Sequence, residues 1–155
     1  MRTTSMRAWP HVLSGPALLL VLGLALSPRE SAAQPHEKRE SGYVVRGSTV
    51  PSQSFDAATA RAHGIEPTAS RGVLNVTVSK VGQALTENLR ADVRASAREL
   101  TGRKHEIQMR PVVSNNMVSY IGVFEFVHRQ VLTFEIVATP QQSGKPVILS
   151  FEERF

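Results

Sequence analysis

The chain has 155 residues, 18 Lys or Arg against 13 Asp or Glu, no cysteine, and 41% hydrophobic residues. The lack of cysteine excludes disulfides, thiol chemistry and a lipid-modified cysteine anchor. The length suffices for one domain with its own core once a short leader is removed.

Residues 1–33 read as a secretory signal. Arg2 and Arg7 give a positive start, Ala17 to Leu26 is an uncharged apolar run, and Pro28 breaks any helix there. Ser31-Ala32-Ala33 places small residues before a cleavage point after Ala33. The apolar run is about ten residues, half of the roughly 20 needed to span a bilayer as a helix. The expected product is periplasmic, with no membrane segment after processing. Removing Arg2, Arg7, Arg29 and Glu30 leaves 15 basic and 12 acidic residues, a net charge of +3. So mild an excess, with no basic cluster interleaved with aromatics, makes nucleic acid a poor partner.

Residues 34–41 (QPHEKRES) are polar throughout and read as an unstructured leader. From Gly42 to Phe155 the pattern has a period of two. Tyr43 to Val50 is rich in β-branched and aromatic residues, and Gly72 to Ser79 alternates Leu74, Val76 and Val78 with Asn75, Thr77 and Ser79. Between them, Asp56 caps a short helix over Ala57 to Ala62 that Gly64 ends. Leu89 to Glu99 alternates Ala91, Val93, Ala95 and Ala97 with Arg90, Asp92, Arg94, Ser96 and Arg98. A strand gathers those arginines on one side, whereas a helix would scatter them. Lys104 to Arg110, Met117 to Val127, Val131 to Thr139 and Pro146 to Phe155 follow, joined by turn residues. About seven strands at this spacing predict an all-β antiparallel sandwich with one short helix. Strand 117–127 is apolar on both sides, so both faces need covering. The second cover is expected to be the helix or another copy of the chain.

Several stretches together resemble a known family. They are Pro51-Ser52, Phe55, Ala60 and Gly64-Ile65 around the helix, Gly72 to Val78, and Leu100-Thr101-Gly102. To these add Tyr120-Ile121-Gly122 with Phe124, Leu132-Thr133-Phe134 with Pro140, and Phe151 to Phe155. The chain thereby resembles the small exported bacterial proteins grouped as domain of unknown function 4426, from about Gly42 to Phe155. It departs at His63, where relatives often carry Tyr. The resemblance implies an immunoglobulin-like sandwich in the periplasm. It brings no activity and no functional residue with it.

No catalytic or metal-binding constellation stands out. His36, His63, His105 and His128 form no pair at ligand spacing. No Gly-x-Ser-x-Gly elbow is present, and Asp56 and Asp92 read as a cap and an arginine partner. No cofactor is expected. Arg90, Arg94 and Arg98 lie about 13 Å apart in succession along one strand face and suit a carboxylate- or phosphate-bearing partner. The plainer reading is a solvated face with cross-strand ion pairs. Glu153 shares a face with Phe151 and Phe155, at the core's edge or held by an arginine. The leading expectation is a non-enzymatic periplasmic module that binds a protein or an envelope component. The alternative is a small-ligand carrier or enzyme accessory with a pocket between the helix and strand 117–127, lined by Phe55, Tyr120 and Phe124.

Overall fold

Alternating side chains sort the described residues into nine antiparallel strands in two facing sheets. The computed structural model describes residues 35–82, 88–115 and 117–155. The expected signal segment and its cleavage point lie outside the described residues. Sheet one holds β1 (His36–Glu40), β2 (Tyr43–Pro51), β3 (Arg71–Lys80), β7 (Met117–Glu125) and β6 (Arg110–Ser114), in that order. Sheet two holds β5 (Lys104–Ile107), β4 (Ala91–Glu99), β8 (Val131–Pro140) and β9 (Val147–Arg154). The expected sandwich is thus present, with two strands more than the periodicity indicated.

The inward residues are those the alternation selects. Val45, Leu74, Val76, Val78, Phe134, Ile136 and Val147 are fully buried between the sheets. Each such side chain contributes about 1.5–3 kcal/mol on burial. On β4, Ala91, Val93, Ala95 and Ala97 face in while Asp92, Arg94 and Arg98 face out.

Three segments differ from the sequence reading. The first is His36–Glu40, expected as an unstructured leader. It is an edge strand in register with β2, from His36↔Gly47 to Glu40↔Tyr43. Ser41 and Gly42 both take positive φ, 52° and 81°, the signature of a type I′ hairpin turn. The backbone ladder and ion pairs hold this polar strand: Glu37 meets Arg39 at 2.5 Å and Arg46 at 2.7 Å. The second is Lys104 to Arg110, which is not one strand. The chain leaves sheet two after Ile107 and enters sheet one at Arg110. The third is Glu153, which is held by His36 (3.5 Å) rather than an arginine. The His36 ring stacks on Phe151 at 4.1 Å, which closes one side of the sandwich.

The helix α1 (Ala57–Ala62) forms as expected. Asp56 accepts from Ala58 and Thr59 N–H, and Gly64 takes φ +57° beyond its end. It packs on the outer face of sheet one, where Ala60, Ile65 and Val73 form a small core with Phe55 and Ile121. The second apolar face of β7 is therefore covered in part by the helix. Val123, further along that face, remains 39% exposed.

Candidate functional site

Two concavities border β7. The larger is a groove of about 820 Å³ at the sandwich end where β7 runs past its neighbour. β6 pairs with β7 only as far as Arg110↔Ile121. Gly122 marks the reason. A Cβ there would lie 2.5 Å from Ile107 Cγ2 and 2.6 Å from Met109 Sδ, because the chain crosses between sheets at this point. Phe126 N–H donates to the Ser70 carbonyl (2.9 Å), which places even-numbered backbone groups on the β3 side. The N–H and C=O of Val123 and Glu125 consequently point into the groove. Among the described residues, no strand pairs with β7 on that side beyond Ile121.

The groove floor is apolar, with Ile107, Phe124 and Phe126. Its walls carry Glu66, Glu99, Glu106 and Glu125 against Arg71, Arg103 and His105. Arg71 bonds to Glu66 and reaches Glu125 at 3.5 Å. Glu99 meets His105 Nε2 at 2.8 Å and accepts from Thr101 Oγ1 at 3.1 Å. The hydrogen bond from His105 holds the Glu99 carboxyl below its usual range. The Thr101 hydroxyl bonds to Glu99 rather than His105, so this trio lacks the nucleophile–base contact that hydroxyl catalysis requires. Thr68 Oγ1 borders the groove, is sealed from solvent, and has no hydrogen-bond partner among the described residues.

The smaller cavity is a cleft of about 260 Å³ between α1 and the outer face of sheet one. Phe55, Ile65, Val73, Ile121 and Val112 give it apolar walls, and Ser48, Asn75 and Ser119 stand on its floor. The expected helix–strand pocket therefore exists, but its lining differs. Phe55 is part of it. Tyr120 and Phe124 are not, because even-numbered residues of β7 point into the sandwich, where the two are 7% and 5% exposed. Tyr120 O–H instead accepts from Ala91 N–H across the sandwich at 2.7 Å. Phe124 packs edge-on to Phe134 at 4.9 Å and borders the groove.

Arg90, Arg94 and Arg98 are all exposed on the outer side of sheet two. They do not converge. Arg94 lies 3.8 Å from Asp92, and Arg98 stands opposite Lys104, which itself reaches Glu106 (3.3 Å) and Glu135 (3.8 Å). Among the described residues no three His, Asp or Glu side chains gather where they could share a metal ion. No helix of the described residues is long and apolar enough to cross a membrane.

The family described as domain of unknown function (DUF4426) matches residues 37–155. The chain belongs to this family. A DUF4426 protein from Pseudomonas aeruginosa shares the fold with a TM-score of 0.67 at 22% identity, covering 78% of this chain and 94% of that one. A copper-bound variant of FetP from uropathogenic Escherichia coli is similar with a TM-score of 0.57 at 15% identity, over 80% and 95% of the two chains. FetP as isolated, recombinantly expressed in the E. coli periplasm, gives 0.56 at 13%, over 79% and 95%. No curated protein matches the chain. At these identities the likeness to the Pseudomonas aeruginosa chain and to FetP shows the fold alone. Sequence reasoning missed both the open edge of β7 and the polar floor of the cleft. The only signal for the open edge was Gly122, which admits a crossing chain. Of the polar floor, only Asn75 stands out in sequence, as one of the polar residues alternating with Leu74, Val76 and Val78.

Proposed function

We propose that this DUF4426 protein is a non-enzymatic binding module of the bacterial periplasm that docks an extended peptide segment of a partner protein. The observation that carries the reading is the open edge of β7. Val123 and Glu125 offer two N–H and two C=O groups to a groove with an apolar floor. An added strand would satisfy them, with alternate side chains seated in the groove. Four wall carboxylates against two guanidiniums favour a segment carrying Lys or Arg. Export rests on residues 1–33, and intact-mass measurement of secreted material should give a chain beginning at Gln34. Copper belongs to the FetP variant. The reading offered here uses no metal.

Hydrogen exchange tests the docking. In the free protein the Val123 and Glu125 amides should exchange fast. A Lys-containing peptide selected from an extended-peptide library should protect both. Val123→Pro removes one of these donors without touching a ladder bond, so it should fold normally and bind at least about tenfold more weakly. Protection elsewhere, or unchanged binding by Val123→Pro, would refute the edge as the docking site.

A further inference from the structure

We infer that the cleft between α1 and sheet one is a second site, for a small, neutral, amphipathic molecule with an apolar ring or short chain and one group that both donates and accepts hydrogen bonds. The cleft and the β7 groove share no lining residue, so neither reading depends on the other. Three observations point the same way.

The first is the floor. Ser48 on β2 stands opposite Asn75 on β3, Asn75 stands opposite Ile121 on β7, and Ser119 precedes Ile121 by two residues. All three polar side chains are half-buried, and none makes a hydrogen bond among the described residues. A carboxamide has two donors and an acceptor with two lone pairs, and each hydroxyl can do either. Such groups, grouped and without internal partners, match a ligand head that also does both.

The second is the wall. Phe55 and Ile65 come from the segments flanking α1, and Val73, Ile121 and Val112 from three adjacent strands. They give the cleft an apolar side that a ring or short chain can cover. The volume of about 260 Å³ lies below the usual range for drug-sized ligands.

The third is charge. No Asp, Glu, Lys or Arg lines the cleft, and the one ionisable lining residue is His63, beyond the end of α1. The Arg110 guanidinium donates to the carbonyl of His63, which lines the cleft. Thr59, also on the lining, directs its hydroxyl to Asp56 at 2.6 Å. A carboxylate head would lose water here with no Lys or Arg on the lining to meet it.

Benzamide, benzoate and toluene are probes that separate these features. Titrations followed in ¹H–¹⁵N spectra of the purified chain should show benzamide shifting the Asn75 side-chain NH₂ and the amides of Ser48 and Ser119. Millimolar affinity suits a probe of this size. Benzoate and toluene should each bind about tenfold more weakly. Asn75→Leu should weaken benzamide about tenfold and leave toluene unchanged or improved. If Asn75→Leu does not fold, the double variant Ser48→Ala, Ser119→Ala carries the same comparison. Benzamide shifts confined to other surfaces would overturn the inference. So would equal binding of toluene and benzamide with no effect of the substitutions, which would make the cleft a plain apolar contact.

Discussion

Tyr120→Phe isolates one hydrogen bond that joins the two sheets. The Gln141 N–H donates to the Arg90 carbonyl at 3.1 Å, so backbone groups at Arg90 face β8 and those at Ala91 face the other way. On that other side β5 begins its pairing only at Ala95↔Ile107. The Ala91 N–H therefore has no strand partner, and the Tyr120 hydroxyl on the opposite sheet accepts it at 2.7 Å in a buried position. Phe keeps the ring and removes only the oxygen. Stranding a buried backbone donor costs about 1–3 kcal/mol. With a urea m-value of about 1–3 kcal/mol/M, the midpoint should fall on the order of 1 M with m unchanged. Tyr120→Ala should cost more, about 3–5 kcal/mol, because it also leaves a cavity. A Tyr120→Phe loss under about 0.5 kcal/mol would refute the argument, since water would then be reaching Ala91 N–H from the open edge.

The remaining predictions use the same denaturation assays. Ala60→Trp should destabilise by about 1–3 kcal/mol, because Ala60 is 2% exposed against Ile65 and Val73; a wild-type melting curve would place α1 free on the surface. Val93→Asp should cost about 3 kcal/mol or more, whereas Arg94→Ser, exposed and 3.8 Å from Asp92, should cost under about 0.5 kcal/mol; equal melting temperatures would disprove the register of β4. Hydrogen bonds from Thr59 hold the Asp56 carboxyl below its usual range in the folded state. Its contribution is thus complete above the unfolded-state pKa and is lost as pH falls through the depressed folded-state value. Asp56→Ala should lower the melting temperature at neutral pH and flatten the acid limb of the melting-temperature profile; an unchanged acid limb would show that the cap does not stabilise the helix.

The fold was legible wherever one strand face is buried. Leu74, Val76 and Val78 against Asn75, Thr77 and Ser79 needed only a period of two, and the Asp56 cap with Gly64 marked the helix. The misses have physical causes. His36–Glu40 lies at an edge with polar residues on both sides, so no alternation reveals it; its ladder bonds come from the backbone. Lys104 to Arg110 reads as one run because both of its halves are exposed edge segments, and the switch between sheets leaves no mark except Pro111 and Gly122. Tyr120 and Phe124 read as helix-facing because their strand is apolar on both faces. Hydrophobicity cannot say which parity points inward on such a strand; packing decides it. The open edge depends on where β6 stops, which is a three-dimensional fact.

The β3–β7 pairing also sets an order of assembly. Most neighbouring strands here are consecutive in the chain, but β3 and β7 are joined across registers such as Arg71↔Glu125 and Val76↔Tyr120. Closing so long a loop is slow compared with forming a hairpin. A chain emerging amino-terminus first can build β1, β2 and β3 early, yet the far side of β3 stays bare until about forty further residues have been delivered. During that interval the hydrophobic half-sheet presents an unpaired edge to other chains, so the wait for β7 is a step exposed to aggregation, as is the wait of β4 for β8.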